Sequence, residues 1–129
     1  MNARVLMLAH RILRKLEMHH ILAGGDINIP DTITLPGDTI IGIYSNPGLD
    51  RKILVGSNAF YYQENTWIVI QYRDIYDAKI ESSETKHTAN RLIFSLTDGS
   101  TQYMRVDGGG TKFRDIYQFL RFIRRVIHP

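Results

Sequence analysis

The feature of this sequence that most constrains its fold is one amphipathic helix placed after a long run of short strands. The helix is predicted over residues 111–127, after three successive glycines at 108–110, and Thr111 can cap its first turn. Apolar residues recur there at three- and four-residue spacing, which marks one helical face. That face consists of Phe113, Ile116, Tyr117, Leu120, Ile123 and Ile127. A lone helix of this kind must bury its face against the preceding strands, and Leu120 is predicted at its centre.

Seven strands are predicted between residues 39 and 106, because short segments of alternating apolar residues are separated by turn sequences. The strongest turn signal is Asp98-Gly99, since a tight hairpin turn needs positive φ and glycine adopts it without penalty. In the strand at 66–72, apolar residues occupy both faces, so both faces are expected to be covered. The predicted strands are 39–45, 52–55, 60–63, 66–72, 75–82, 92–96 and 101–106.

A second helix is predicted at the N-terminus, from residue 3 to about residue 22, with Gly24 and Gly25 ending it. It carries an apolar stripe and several basic residues on the other side, which makes it amphipathic. A connector with prolines at 30 and 36 follows. We therefore predict an N-terminal amphipathic helix at residues 1–25 and a strand-rich domain at residues 26–129. The apolar stripe comprises Val5, Leu8, Ala9, Ile12 and Leu16.

The composition excludes several classes of protein. The chain has 129 residues and no cysteine, which excludes disulfide scaffolds and thiol nucleophiles and fits a reducing compartment. His10 and Arg11 end the only apolar run near the N-terminus too early for a secretory signal. No segment approaches the roughly 20 apolar residues that a membrane span needs. A cytoplasmic protein is expected.

No catalytic or metal-binding constellation is recognisable. The run Asp107 to Lys112 (DGGGTK) resembles a phosphate loop, but it lacks the P-loop spacing and the long α/β domain that such loops serve, so a strand-to-helix turn is expected. The adjacent His19 and His20 would point about 100° apart on a helix, which is poor metal geometry. No carboxylates are marked as a converging pair. We expect no enzyme activity, no catalytic residues, no metal and no cofactor.

Three segments carry a resemblance to a known fold. Lys52-Ile53-Leu54-Val55 turns into Phe60-Tyr61-Tyr62, and Trp67–Tyr72 is followed by Asp74-Ile75. With seven strands and a final helix, this pattern resembles the bacterial PH-like (pleckstrin-homology superfold) and GRAM-like domains over about residues 37–127. The resemblance implies an α+β fold, a seven-stranded antiparallel PH-like sandwich or partly open barrel capped by a C-terminal α-helix. The N-terminal helix is an addition to that fold.

The resemblance implies a non-catalytic recognition module. PH-like scaffolds leave a strand edge beside the C-terminal helix, where an extended peptide or another copy can add. We therefore expect protein–protein interaction, with self-association as one form of it. The alternative is weak peripheral binding to anionic membrane lipids through the basic first helix with Arg51, Lys52 and Arg73. Adjacent strand residues such as Arg51 and Lys52 point to opposite faces, which does not favour a phosphoinositide pocket. Nucleic acid is not expected, because the strand aromatics lack basic neighbours.

The final helix carries a second apolar strip, which we also expect to be buried against another surface. Phe122 lies roughly opposite Phe113 at about 100° per residue, so one sheet cannot cover both. Leaving the strip exposed would forgo roughly 1.5–3 kcal/mol for each large side chain. We expect this strip to meet the stripe of the first helix, within one chain or between two copies. The predicted interface comprises Val5, Leu8, Ile12, Leu16, Phe119, Phe122 and Val126.

Overall fold

The computed structural model describes residues 3–13, 19–21, 35–45, 52–64, 66–81, 91–106 and 115–128, with the backbone alone at 19–21. The N-terminal helix α1 is Ala3–Leu8, and a π-helical segment, Ala9–Leu13, continues it. The C-terminal helix α2 is Ile116–Ile127, and a 3-10 turn, Tyr72–Asp74, lies between two strands. The strands are β1 His19–Ile21, β2 Ile40–Ser45, β3 Lys52–Gly56, β4 Ala59–Gln63, β5 Trp67–Gln71, β6 Ile75–Ile80, β7 Arg91–Leu96 and β8 Thr101–Arg105.

The strands form two antiparallel sheets, one in the order β1-β2-β3-β4-β5 and the other in the order β6-β7-β8. The seven predicted strands are confirmed as β2 to β8, so the chain is an α+β protein with a helix at each end. The predicted hairpin turn between β7 and β8 is also confirmed: Gly99 has φ +89°, and Leu96 N donates to Ser100 O at 2.9 Å. The two sheets share no strand in the described part of the chain.

The prediction of one helix to about residue 22 is wrong at its end. Residues His19–Ile21 form β1, in which His19 pairs with Tyr44 and Ile21 with Gly42. The edge of β2 offers backbone donors and acceptors that a strand can use, and such tertiary pairing overrides a helical pattern. Leu16 and the boundary predicted after residue 25 lie outside the described residues.

The main core lies between the two sheets and the helices, and an aromatic cluster occupies its centre. Phe60 of β4 meets Tyr72 edge-to-face with 5.1 Å between ring centroids. Its ring is also 6.1 Å from that of Phe119 and 5.9 Å from that of Phe122, both on α2. Such aromatic pairs stabilise a core by about 0.5–1.5 kcal/mol each beyond the area they bury. The cluster therefore fixes α2 against the first sheet.

The prediction that Leu120 lies at the centre of the buried helix face is wrong, since Leu120 is only partly buried. The fully buried residues of α2 are instead Ile116, Phe119, Phe122 and Ile123. The face is rotated because α2 has two neighbours, the strand β6 on one side and the N-terminal helical segment on the other. The large aromatic side chains fill the space between them. The predicted first turn, including Thr111 and Phe113, lies outside the described residues.

A smaller apolar cluster covers the outer face of the first sheet. Leu54 and Tyr61 are buried there, while Trp67 and Val69 of β5 pack against them. On the opposite face of β5, Ile68 and Ile70 contact the main core. The expectation that both faces of this strand are covered is confirmed. Among the described residues, no helix is long and apolar enough to cross a bilayer.

Candidate functional site

The residues predicted to bind an anionic ligand are not brought to one place. Lys52 is exposed at the first position of β3, where it pairs with Ser45. Arg73 is exposed in the 3-10 turn, next to the other end of that strand, since Tyr72 N donates to Asn58 O at 2.9 Å. Lys52 and Arg73 thus lie at opposite ends of the first sheet. Arg51 lies outside the described residues.

The residues predicted to form a helix–helix interface meet within one chain. Val5, Leu8 and Ile12 are at most 3% exposed and belong to the same core as Phe119 and Phe122, which are 0% exposed. Val126 is partly buried against this core. Leu16 is among the residues that the structure does not describe. The apolar face of the N-terminal helical segment is consequently unavailable to a bilayer in this conformation.

The outer edge of β6 carries backbone groups that β7 does not use. Glu81 N donates to Arg91 O at 2.9 Å, so Glu81 and Arg91 form a hydrogen-bonded pair of the antiparallel ladder. Because such pairs alternate, Lys79 is bonded to β7, whereas Ala78 and Ile80 turn their N–H and C=O groups to the opposite side. In the described part of the chain, no strand pairs with that side of β6. The backbone groups of Ile80, which is partly exposed, are therefore open to an added strand, whereas Ala78 is fully buried and its carbonyl accepts a hydrogen bond from Arg124.

The helix α2 runs beside this edge and adds side chains to it. The guanidinium of Arg124 donates from Nε to the outward carbonyl of Ala78 at 3.3 Å. A shallow groove of about 410 Å³ follows the same helix face, where Tyr117 and Leu120 alternate with basic residues. Its basic lining consists of Arg121, Arg124, Arg125 and His128. The edge of β6 thus has an apolar and positively charged wall beside it.

A second concave surface, a cleft of about 760 Å³, lies at the C-terminal end of α2. Its walls are the turn between β3 and β4, the residues from Gln71 to Arg73, and the last turn of α2. Val126 and Ile127 supply apolar surface, and Asn58 supplies a polar side chain. This volume is within the range of about 300–1,000 Å³ that small-molecule sites occupy. We call this surface the Arg73 cleft.

Asp38 fixes one wall of the Arg73 cleft. Its Oδ1 accepts hydrogen bonds from Ser57 Oγ at 2.6 Å and from Asn58 N at 3.0 Å, which holds the turn between β3 and β4. Its Oδ2 accepts a hydrogen bond from the Tyr61 hydroxyl. A side chain at Gly56 would place its Cβ 2.5 Å from Asp38 Oδ2, so only glycine fits beside this carboxylate. These contacts therefore hold this wall of the cleft in a defined conformation.

Two tyrosines around this carboxylate are held in the neutral form. Burial raises the pKa of Tyr61 well above its ordinary value, and its hydrogen bond to Asp38 raises it further. Burial also raises the pKa of Tyr72, with the negative charge of Asp38 adding to the effect. The Tyr72 hydroxyl donates to Gly56 O at 2.8 Å. Both hydroxyls therefore act as structural donors at neutral pH.

The polar lining of the Arg73 cleft was not predicted from the sequence. Ser57, Asn58 and Gln71 are ordinary turn and strand-end residues, and their spacing in the chain gives no indication that they converge. The only available signal was Asp38, which follows Pro36-Gly37 at a turn and can accept backbone N–H groups. No group of three or more acidic, histidine or cysteine side chains that could hold a metal occurs among the described residues.

Comparison with known proteins adds no relative. No protein-family model, no curated protein and no solved structure matches this chain.

Proposed function

We propose that this chain is a non-catalytic recognition module that binds protein, with an extended segment adding to the outer edge of β6 beside α2. The observation that carries the proposal is the outward direction of the Ile80 backbone groups at a partly exposed position of β6. An extended peptide can use such groups to extend a sheet by one strand. The segment would come from a partner protein or from a second copy of this chain.

The surroundings of β6 support this edge over the others. In the described residues, β1, β5 and β8 also have an unpaired side, but α2 packs against β6 and lines it. Tyr117 and Leu120 can contact apolar side chains of an added strand, and Arg121 can contact acidic ones. Main-chain hydrogen bonds would give affinity, and these side chains would give specificity. The arrangement resembles the strand edge that the PH-like fold implies.

The alternative of weak binding to anionic membrane lipids has less support. The apolar face of α1 is buried in the core, and Arg4 is engaged with carbonyl groups of α2. Lys52 and Arg73 lie at opposite ends of the first sheet and do not form one basic patch. Co-sedimentation with vesicles containing phosphatidylserine, at low and physiological salt, tests this alternative, since electrostatic membrane binding weakens as salt rises.

The proposal can be tested with two proline variants that differ by one residue. In Ile80→Pro the lost N–H points outward, so the ladder between β6 and β7 keeps its hydrogen bonds. In Lys79→Pro the lost N–H is one that β7 uses, so this variant is expected to lose stability. Sedimentation from micromolar to millimolar concentration measures self-association, and selection from a displayed peptide library measures peptide binding.

We expect the wild type to associate with itself or to select peptides whose contacts map to β6, and Ile80→Pro to stay folded and lose that interaction. Thermal melting of Ile80→Pro verifies the fold. If the wild type remains monomeric and selects no peptide, protein recognition at this edge is contradicted. Binding that Ile80→Pro leaves unchanged, or that maps to β1, β5 or β8, also contradicts it.

A further inference from the structure

We infer that the Arg73 cleft binds a ligand that carries one carboxylate on an apolar body. This inference is independent of the β6 edge, because the cleft has its own lining. The apolar part of that lining comprises Leu35, Pro36, Ile75, Val126 and Ile127. These side chains can accept several methylene groups of a ligand, and removing those groups from water favours binding.

Two polar side chains in the cleft are available for a carboxylate. In the described part of the chain, neither the Arg73 guanidinium nor the Gln71 side-chain amide makes a hydrogen bond or ion pair. Guanidinium and carboxylate match in geometry, since two parallel N–H groups can donate to two oxygens. An amide NH₂ group of Gln71 adds a neutral donor. The cleft thus combines an apolar floor with a cationic donor at its rim.

The charge around the cleft indicates a monoanion. Among the described residues, Arg73 is the one cation that lines the cleft, and the nearby Arg4 guanidinium is bonded to the carbonyl oxygens of Arg125 and Val126. The Asp38 carboxylate lies behind Ser57 and Asn58, which both line the cleft, and Asp74 follows Arg73 in the chain. These negative charges would repel a ligand with two negative charges, such as a phosphate monoester. A carboxylate with a single charge is the better complement.

The carboxylate could belong to a free fatty acid or to the C-terminus of a peptide with an apolar last residue. Octanoate and the dipeptide N-acetyl-Leu-Val represent the two sources. Octanamide and the C-terminal amide of the dipeptide are their neutral counterparts. Each probe is titrated into the full chain, and binding is followed by the backbone amide shifts of Asn58, Gln71 and Arg73.

The matched variants are Arg73→Gln and Lys52→Gln, which each remove one exposed cation, at opposite ends of the first sheet. We expect Arg73→Gln to weaken binding of the acid by at least about fivefold, and Lys52→Gln to change it by less than about twofold. The neutral amide should bind at least about fivefold more weakly than the acid in the wild type, and Arg73→Gln should not weaken it further. Because Arg73 and Lys52 are both exposed, the two variants should have the same free energy of unfolding in urea as the wild type.

Tighter binding of octanoate identifies a fatty carboxylate as the source, and tighter binding of the dipeptide acid identifies a chain end. The inference is overturned if neither acid gives saturable shifts at the cleft. It is also overturned if acid and amide bind equally, or if both glutamine variants weaken binding equally.

Discussion

The side chain of Arg4 in α1 closes the end of α2, with its Nη1 donating to the carbonyl oxygen of Val126 at 3.2 Å and its Nη2 donating to that of Arg125. The last carbonyl groups of a helix have no partner within the helix and lie at the negative end of its dipole. A guanidinium at this point satisfies both the hydrogen bonds and the charge. The first residues of the chain therefore stabilise nearly the last ones.

Replacing this guanidinium should destabilise the protein. Arg4→Ala is expected to lower the free energy of unfolding by about 1–2 kcal/mol, because two carbonyl groups lose a charged donor. Arg11→Ala is the matched control, since Arg11 lies on the same helical segment and is exposed. It should change stability by less than about 0.5 kcal/mol. Urea unfolding measures both, and equal losses would show that Arg4 does not cap α2.

The orientation of α2 can be tested by two truncations on the same helix. Phe122 is 0% exposed and contacts Phe60 and Tyr72, whereas Leu120 is partly buried. Phe122→Ala should cost about 3–5 kcal/mol, and Leu120→Ala about half as much or less. The midpoints of urea unfolding measure the difference. A larger loss for Leu120→Ala would indicate the helix face predicted from the sequence.

A buried hydroxyl connects β2 with the start of α2. The Tyr44 hydroxyl donates to Asp115 Oδ2 at 2.9 Å, and the ring of Tyr44 meets Phe119 edge-to-face. Tyr44→Phe removes the donor and keeps the ring, so it should cost about 1–3 kcal/mol. Tyr76→Phe is the control because Tyr76 is 71% exposed. Thermal melting measures both variants, and equal melting temperatures would contradict the role of this hydrogen bond.

Stability should fall at alkaline pH. The pKa values of Tyr61 and Tyr72 are raised in the folded state above the ordinary value of about 10, so the folded state holds these protons more tightly than the unfolded state. Their contribution is complete below pH about 10 and is lost as the pH rises above it. The double variant Tyr61→Phe, Tyr72→Phe should lose less stability over this range. Urea unfolding at successive pH values measures the slope, and an equal slope in both proteins would contradict this assignment.

The strands were predictable because their signals are local. The alternation in β7 and the glycine of the Asp98-Gly99 turn depend on neighbouring residues in the chain, and both give the observed structure. The strand conformation of residues 19–21 was not predictable, since it depends on pairing with the edge of β2. The buried face of α2 is rotated relative to the predicted face. The helix also packs against an N-terminal segment that lies more than 100 residues away in the chain, and local patterns do not reveal such a contact.

The candidate sites were less predictable than the fold. Arg73 was selected as basic, but its position beside Gln71 and Ile127 depends on how the 3-10 turn meets the end of α2. The role of Asp38 also depends on distant residues, since Ser57 and Tyr61 are about 20 positions away. Helical and strand periods indicate which residues are buried; they do not indicate which polar residues converge.

Recognition at the edge of β6 is tested most directly by amide hydrogen exchange along this strand, residue by residue, first at the lowest workable concentration. The amides of Asp77 and Lys79 are bonded to β7, whereas that of the partly exposed Ile80 points outward. We predict slow exchange at Asp77 and Lys79 and fast exchange at Ile80, because hydrogen bonds within a sheet protect amides. At high concentration, or with a selected peptide, the Ile80 amide should become protected. Equal protection of Lys79 and Ile80 in the dilute protein, or no change at Ile80 on association, would contradict an open recognition edge.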